Sequence, residues 1–431
     1  MKELGERLAE AAREHGVPGA AIAVWHDGRL HEAATGVLNT ATGVEATPDS
    51  VFQVGSATKT WTAALVLQLA EEGLVELDRP AADYLPEFAF PATVRQLLTH
   101  TGGFDGDVFE DTGRGDDCLD RFVAHLKGAG RVHEPGELFS YCNAGYCVLG
   151  ALVARLRGTT WEQAMRERLI EPLGITQAAL FAEEAVLLRA SAGHIGPDAE
   201  VWPRWQAPRS NGPAGSMLCL APRELVRFGR MLLAGGENVL SPASVAAMRT
   251  PQVTVPGVPG ALAGAWGLGL ELFDWGAYGH DGGTPGQSTF WRIVPDAGLV
   301  IALCGNGGAF LGLMRDVAFP VMREAGAAVP DLPVPPARPE PVDATPYLGT
   351  YTGPALSVEV TADGGGLALT TIPGETARGL GMQPSTSRYV HLSGDSFITA
   401  EPEDGAHQTV TFVMRDGRAA YLHNSRALAR A

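Results

Sequence analysis

The spacing of apolar residues predicts several helices in the first part of the chain. Residues 3–15 place their apolar side chains on one face of a helix, which Gly16 and Pro18 end. The most continuous apolar run starts near residue 56 and extends to about Glu72, where Gly73 stops it. Further helices are predicted at 94–100, 142–157, 161–169 and 222–233.

Strands are predicted on both sides of this helical region. The runs 19–26 and 29–36 are joined by Asp27-Gly28, a strong signal for a two-residue hairpin turn. Strands return at about 266–273, 288–294 and 298–304. The order predicts an α/β fold whose sheet is built from both ends of residues 1–325, with a helical insertion between them.

The pattern changes after residue 325. Residues 326–346 hold seven prolines, cannot pack as a helix and predict a semi-rigid linker. Short strand candidates follow within a second domain, residues 347–431, at 347–351, 356–361, 367–371, 389–392, 397–400, 410–414 and 419–422. Regular short strands indicate a small antiparallel barrel or a sandwich.

An acidic, glycine-rich loop spans Asp105–Asp117, between the predicted helices. Two interpretations are open. A solvated loop is the ordinary explanation for such a composition and is favoured here, and a lid over an active site is the functional one.

Composition and charge narrow the classes of function. The chain of 431 residues has a formal net charge of −17 and no basic run, which argues against nucleic acid or an anionic membrane as the main partner. No apolar stretch is long enough to span a membrane, and the charged N-terminus has no signal-peptide core, so we expect a cytoplasmic protein. Five cysteines without zinc spacing predict buried free thiols. No metal or phosphate-loop motif is present, and no cofactor is predicted.

The candidate chemistry begins with Ser56 and Lys59 at the start of the most apolar helix. Positions i and i+3 share a helix face, so a desolvated Lys59 amine could take the Ser56 hydroxyl proton. The chain has three lysines against twenty-nine arginines, and only lysine readily gives up its proton. A Ser-x-x-Lys pattern also arises by chance, and this serine could simply cap the helix.

Two other segments carry candidate partners. Tyr141 and Asn143 open a predicted helix: a phenol near a cationic lysine loses its proton more easily and can shuttle protons, while an amide can hold an acyl chain. His280, Gly282 and Gly283 lie in a glycine-rich segment that begins a strand, where a backbone N–H could stabilise an oxyanion. A buried tyrosine with an asparagine cap, and a turn histidine, are the ordinary alternatives.

The order and spacing of these three segments resemble the serine β-lactamase and penicillin-binding-protein superfamily. Residues 97–103 read LLTHTGG and resemble that superfamily's LLTHTSG, and residues 211–217 resemble its Pro-Ala-Gly-Gly segment. The resemblance covers about residues 5–325 and points to the class C-like branch, with its D-aminopeptidases, family VIII esterases and penicillin-binding-protein-type thioesterases.

The resemblance implies a fold and a set of roles. The fold would be an antiparallel sheet flanked by helices with an all-helical subdomain, followed by a lipocalin-like barrel. Ser56 would be the acylated nucleophile, Lys59 its base, Tyr141 the proton relay and Asn143 a ligand of the acyl amide. The oxyanion hole would be formed by the backbone N–H groups of Ser56 and Gly283, the residue after His280-x-Gly282.

One departure bears on the substrate. Where β-lactamases and carboxypeptidases of the superfamily usually have Lys-Thr-Gly, this chain has His280-Asp281-Gly282. The resemblance implies that the lysine helps to bind the substrate's carboxylate, which a neutral histidine would do poorly. His-x-Gly resembles instead the D-aminopeptidase, amidase and peptide-cyclising thioesterase relatives.

Three functions follow as hypotheses. The first is a hydrolase that acylates Ser56 with an ester, amide or peptide, including peptides with D-residues. The second is a thioesterase or acyltransferase whose acyl-enzyme is resolved by an amine, with an acyl-carrier or peptidyl-carrier protein as a partner. In that case Trp202, Arg204, Trp205 and Arg209 could bind the peptide or the carrier, although a hydrophobic loop cover explains them equally well. The third is a non-catalytic binder, against which an intact Ser, Lys and Tyr argue.

Overall fold

The computed structural model describes residues 3–258, 260, 263–353, 355–374, 378, 383–403 and 406–431, so Lys2 lies outside it. The described helices are α1 (Leu4–Glu14), α2 (Thr58–Glu71), α3 (Val94–Leu98), α4 (Cys118–His125), α5 (Asn143–Arg157), α6 (Trp161–Met165), α7 (Ala182–Ala185), α8 (Pro222–Leu233), α9 (Pro242–Met248), α10 (Phe310–Leu313) and α11 (Phe319–Glu324). The predicted helix 222–233 is confirmed at both ends, and the predicted helix 161–169 continues from α6 into a π-helical turn, Arg166–Ile170.

The strands before the linker are β1 (Gly19–His26), β2 (Arg29–Asn39), β3 (Val44–Glu45), β4 (Phe52–Gln53), β5 (Ala178–Ala179), β6 (His194–Ile195), β7 (Glu200–Val201), β8 (Cys219–Leu220), β9 (Val253–Thr254), β10 (Ala265–Trp266), β11 (Glu271–Leu272), β12 (Tyr278–Gly279), β13 (Gly282–Thr284), β14 (Gln287–Val294) and β15 (Leu299–Gly305). Those after it are β16 (Gly349–Thr352), β17 (Leu356–Asp363), β18 (Gly366–Pro373), β19 (Ser385–Ser393), β20 (Ser396–Thr399), β21 (Thr409–Arg415), β22 (Arg418–His423) and β23 (Ala427–Arg430).

The main sheet joins the two ends of the first region, as the sequence predicts. Its order is β3-β2-β1-β15-β14-β12-β11-β10-β9, with β13 paired to β14, and its neighbouring strands pair antiparallel. Asp27 and Gly28 form the turn of the first hairpin with φ of +50° and +73°, the left-handed values that a tight hairpin turn requires.

The single strand predicted at 266–273 is wrong. The chain instead forms β10 and β11, which pair with each other across a turn. Gly269 has a φ of +78°, and a side chain on Gly267 would collide with the carbonyl of Met248. Leu268 and Leu270 are buried within this turn, so the segment reads as a continuous apolar strand although the backbone reverses.

Helices cover both faces of the sheet. On one face α1 packs with α10 and α11 over apolar residues of the sheet such as Phe290 and Ile301. On the other face α8 lies against the sheet and meets α2, where the rings of Trp61 and Phe228 stack with centroids 4.1 Å apart. Helices α3 to α6 extend this second core into the all-helical part, with α5 at its centre. Burial of both helix faces explains why α2 is apolar all round.

The C-terminal strands close into a barrel, which decides between the two architectures left open by the sequence. Seven of them overlap the predicted strands, but β23 was missed. This last strand pairs with β22 and with β16, and therefore joins the two edges of the barrel. The interior of the barrel is packed with apolar side chains that include Tyr347, Phe397 and Phe412. Closure pairs the backbone groups of the edge strands, which an open sheet would leave without partners.

The barrel packs directly on the first region. Leu138 contacts Tyr421 and Ala427, and the Phe139 carbonyl accepts a hydrogen bond from His423. The five cysteines, all within the described residues, are buried and free, which confirms that prediction. None of the described helices combines the length and the hydrophobicity that crossing a lipid bilayer requires.

Candidate active site

Ser56 sits where strand β4 runs into helix α2. The short 3₁₀ turn Gly55–Ala57 makes this connection, and Gly55 adopts a φ of +53°. Of residues 51–69, all of which the structure describes, Ser56 alone is not buried. The fold therefore presents one hydroxyl from an otherwise closed apolar segment to the cleft above it.

Lys59 lies beneath Ser56, one helical turn later. Its Nζ donates hydrogen bonds to Ser56 Oγ at 3.0 Å and to the Ala214 carbonyl at 2.5 Å, and the residue is 0% exposed. Burial, with a further contribution from the charge of Arg426, lowers the pKa of the Lys59 amine from 10.5 to about 7. A substantial fraction of this amine is neutral at physiological pH, as a proton acceptor requires.

Tyr141 is held next to this pair by His100. The two rings stack with centroids 4.2 Å apart, and His100 Nδ1 accepts a hydrogen bond from the backbone N–H of Cys142. The Tyr141 ring also lies 4.9 Å from Lys59 Nζ. The sequence predicts that the lysine charge favours loss of the phenol proton, but burial dominates and raises the pKa of Tyr141 well above its ordinary value. The Tyr141 phenol is therefore protonated at neutral pH.

Asn143 begins α5 and faces Asp107 on the acidic loop. Its Nδ2 donates to Asp107 Oδ1 at 2.9 Å, which leaves the Asn143 carbonyl oxygen available to a ligand. Asp107 in turn binds Arg426 of the barrel, whose Nε and Nη2 lie 2.8 and 3.0 Å from the two carboxylate oxygens. Burial alone would raise the pKa of Asp107, but Arg426 and Asn143 hold it below its ordinary value.

This contact ties the start of the loop to the barrel, while much of the loop is solvated, as the favoured interpretation predicts. The start of the loop is partly buried, and only residues 109–111 and 114–117 are exposed. Sequence reasoning missed both Asp107 and Arg426. They are 319 positions apart, and no local pattern marks either one.

His280 follows β12 and lines the cleft on its sheet side. Its Nδ1 lies 2.5 Å from the carbonyl oxygen of Asp281, so Nδ1 carries the hydrogen and Nε2 presents a lone pair. Burial and the charge of Lys59 lower the pKa of His280 to about 3. The imidazole is therefore neutral. It offers a hydrogen-bond acceptor at the position that the resemblance assigns to the lysine of Lys-Thr-Gly.

Glycines bring the predicted oxyanion-hole segments together. A side chain on Gly282 would lie 1.9 Å from the Val54 carbonyl oxygen and 3.1 Å from the backbone nitrogen of Ser56. A side chain on Gly55 would lie 2.5 Å from the backbone nitrogen of Gly283. The N–H groups of Ser56 and Gly283 are thus neighbours, which is the arrangement that a pair of oxyanion donors needs.

The cleft above Ser56 has a volume of about 1220 Å³. One wall comes from the sheet, including Glu271 and His280, and the linker contributes Pro330 and Leu332. The barrel forms the roof with residues 406–410 and 424–426. Six of the seven predicted site residues line this cleft, and Lys59 lies beneath Ser56: the six are Ser56, Tyr141, Asn143, His280, Gly282 and Gly283.

The family follows from a comparison with known proteins. Residues 4–316 match the Beta-lactamase family. The chain belongs to the beta-lactamase family. As a member with a C-terminal barrel, this beta-lactamase-family protein is 44% identical over 366 residues to penicillin-binding protein 4 of Amycolatopsis lactamdurans, covering 80% of this chain and 96% of that one.

Solved structures extend the likeness of this beta-lactamase-family protein to the whole chain. A crystal structure of SurE aligns with a TM-score of 0.80 and 34% identity, over 100% of this chain and 98% of that one. A second crystal structure, of SurE with D-Leu, aligns with a TM-score of 0.77 and 35% identity, over 100% and 99%. D-amino acid amidase from Ochrobactrum anthropi SV3 complexed with L-phenylalanine amide aligns with a TM-score of 0.65 over 75% of this chain and 98% of that one. Its identity is 22%, so it shares the fold.

Two of the candidate carrier-binding residues of this beta-lactamase-family protein make well-defined contacts within the chain. Trp205 is anchored by a hydrogen bond from Nε1 to the Ser191 carbonyl, and Arg209 pairs with the buried Glu162. Trp205 and Arg209 are therefore both held by partners in the same chain. Arg204 lines a second hollow of about 540 Å³.

Potential metal ligands lie outside the cleft. Among the described residues, one group has the spacing to hold a cation, namely Glu14, His15 and Asp316. His15 already pairs with Asp316 at 2.7 Å.

Proposed function

We propose that the protein is a serine hydrolase that forms an acyl-enzyme on Ser56 from an ester, amide or peptide. The observation that carries this proposal is the hydrogen bond of 3.0 Å between Lys59 Nζ and Ser56 Oγ, made by a lysine that is fully buried. Burial keeps part of the amine neutral, and a neutral amine at this distance can accept the hydroxyl proton.

The reaction proceeds in two halves. The proton of Ser56 moves to Lys59 Nζ while Oγ bonds to the substrate's carbonyl carbon, and the N–H groups of Ser56 and Gly283 stabilise the resulting oxyanion. Tyr141 gives its proton to the leaving group as the bond to that group breaks, and the Lys59 ammonium returns a proton to Tyr141. Water then attacks the acyl carbon and passes a proton to the same relay, the bond between that carbon and Ser56 Oγ breaks, and the relay returns the proton to Oγ as the acid leaves.

The proposed substrate contains a D-residue next to the reacting carbonyl. Support comes from the likeness to SurE, of which one solved structure holds D-Leu. The neutral His280 supports a substrate other than one with a terminal carboxylate, because its Nε2 lone pair would repel that group. The open carbonyl of Asn143 is suited to accept a hydrogen bond from the amide N–H of an acyl chain.

The size of the cleft favours a second candidate, aminolysis of the acyl-enzyme. About 1220 Å³ beneath the barrel roof is enough for an acyl peptide together with a second reactant. An amine in place of water would then give a new amide, as in the release or cyclisation of a peptide delivered as a thioester. A peptidyl-carrier protein is the proposed partner in that case.

One experiment separates the candidates. The protein is incubated with a nitrophenyl ester and with an N-acetylcysteamine thioester of a peptide ending in a D-residue, and intact mass and products are followed. A transient acyl adduct with release of free acid supports the hydrolase, and a cyclic product supports aminolysis. The Ser56→Ala variant is the control, and absence of any adduct on the wild-type protein would refute both candidates.

A further inference from the structure

We infer that the cleft contains a subsite for a primary amine of the substrate, built around the Glu271 carboxylate on the sheet-side wall. The inference rests on the proposed function, because it assigns a substrate group to the same cleft. It is carried by the position of Glu271 and by the way its neighbours leave that carboxylate incompletely paired.

Glu271 opens strand β11 and pairs across the ladder with Gly279, the residue before His280. This register places its side chain beside the predicted catalytic machinery, on the wall of the cleft that also holds Ser56. The side chain is only 15% exposed. A carboxylate at this depth requires a cation or several hydrogen-bond donors.

The nearest cation, Arg292, is already engaged. Its Nη1 and Nη2 donate to the two carboxylate oxygens of Asp281 at 2.7 and 2.8 Å, while its approach to Glu271 Oε2 is 3.7 Å. The rings of Phe273 and Phe290 lie 4.1 and 4.4 Å from the guanidinium and fix it in place. One positive charge therefore serves two carboxylates, and Asp281 holds the better geometry.

His280 does not supply the missing donor. Its Nδ1 hydrogen is directed to the Asp281 carbonyl at 2.5 Å, and Nδ1 lies 3.6 Å from Glu271 Oε1. Its Nε2 has no hydrogen-bond partner within the part of the chain that the structure describes. Among the residues that the structure describes, the backbone N–H of Asp281, at 3.5 Å, is the remaining polar contact of Glu271.

The wall therefore offers acceptors and net negative charge. Three carboxyl groups line it, those of Glu271, Asp281 and the exposed Asp274, against the guanidinium of Arg292. A carboxylate ligand would be repelled here. A primary amine brings up to three N–H donors and, when protonated, the charge that is lacking.

The protonation of Glu271 agrees with this distribution of charges. Burial and the neighbouring Asp281 raise the pKa of Glu271 to about 8, although Arg292 and Lys59 oppose the shift. An ammonium bound to Glu271 favours the ionised carboxylate. Binding near pH 7 therefore releases the Glu271 proton to the buffer, and calorimetry in buffers of different ionisation enthalpy measures that release.

The amine has two possible sources, and matched probes distinguish them. D-Phenylalanine nitroanilide and its N-acetyl derivative test the α-amine of the acyl donor. D-Leucinamide added to the acyl-enzyme formed from an N-acetyl nitrophenyl ester tests the amine of an acceptor. The variants are Glu271→Gln, Glu271→Asp as a charge-retaining variant and Glu183→Gln, an exposed carboxylate outside this wall.

Glu271→Gln is expected to lower kcat/KM for the free-amine donor, or the aminolysis fraction with D-leucinamide, by about 10- to 100-fold. Hydrolysis of the N-acetyl donor should change by less than about threefold. Glu271→Asp should retain part of the wild-type preference for the amine-bearing substrate, and Glu183→Gln should retain all of it. An equal loss on amine-bearing and N-acetylated substrates would mean a structural role and would overturn the inference, as would no change in either arm.

If the proposed function is wrong, the experiments give a different set of results. In that case the wild-type protein forms no acyl adduct with any donor, yet calorimetric binding of D-leucinamide still tests the subsite. Binding with proton release that Glu271→Gln abolishes would support the subsite on its own. Binding that is equal in both proteins, or absent from the wild type, would refute it.

Discussion

The replacement Lys59→Arg tests whether the buried amine acts as a base. It keeps a positive charge and hydrogen-bond donors next to Ser56, but a guanidinium does not lose its proton in a protein. Any activity that depends on positive charge alone should survive the change. Activity that depends on a neutral nitrogen should not.

The size of the effect follows from the pKa of Lys59, which burial lowers from 10.5 to about 7. At pH 7 about half of such amines are neutral, compared with about one in 3,000 at the ordinary value. For arginine the neutral fraction is below about one in 10⁵. We therefore expect kcat/KM to fall by at least about 10³-fold, to the activity that the other site residues supply without a base.

The direction of the pH dependence follows from the same pKa of Lys59. Because the neutral amine is the active form, kcat/KM should rise about tenfold per pH unit below pH 6 and level off above about pH 8, with an inflection near 7. A nitrophenyl ester under stopped-flow conditions, with intact mass to count acylated protein, measures both the profile and the variant.

The matched control is Lys127→Arg, at an exposed lysine of the same chain. It should leave the rate and the profile unchanged. Lys59→Arg activity within tenfold of the wild type, or a wild-type profile without an inflection between pH 6 and 8, would refute the role of Lys59 as a base.

Three further predictions concern the same site. Ser56→Ala should abolish turnover and the acyl adduct in intact mass without changing the circular dichroism spectrum, and residual turnover on any ester would point to another nucleophile. Arg426→Gln should move the inflection of kcat/KM to higher pH, because the Arg426 charge lowers the pKa of Lys59; an unchanged inflection, as expected for the exposed Arg418→Gln, would contradict that coupling. Gly282→Ala should lower the free energy of unfolding in urea by about 1–3 kcal/mol, because its methyl group meets backbone at 1.9 Å. Gly283→Ala, which meets nothing within 4 Å, should change it by less than about 0.5 kcal/mol, and equal effects of the two would show that the close approach at Gly282 is unimportant.

The sequence predicts most of the longer helices and strands and the central pair, because these depend on local geometry. Ser56 and Lys59 are three positions apart at the start of a helix, and any helix brings such positions onto one face. The hairpin at Asp27-Gly28 and the helix 222–233 follow from turn chemistry and apolar spacing in the same way. Tyr141, Asn143 and His280 were recognised through their order along the chain, and their distances to Ser56 could not be read from it.

Burial explains why two of the predictions from sequence are wrong. The strand predicted at 266–273 is a tight reversal whose leucines are inside the core, so a purely apolar pattern does not distinguish the two conformations. The phenol of Tyr141 has a raised pKa because its burial outweighs the nearby cation. Neither the burial of a side chain nor the reversal of the backbone can be read from the local amino-acid sequence.

The sequence by itself determined most of the longer helices and strands, the change of pattern after residue 325 and the spacing of the serine and the lysine. Only the tertiary structure decided what surrounds them: Arg426 from the barrel reaches Asp107 across 319 positions, and Glu271 shares one guanidinium with Asp281. Local periodicity records which side chains are buried, whereas electrostatic coupling depends on distances through space. The burial that mainly lowers the pKa of Lys59, and the charge of Arg426 that adds to it, are therefore known only from the tertiary structure.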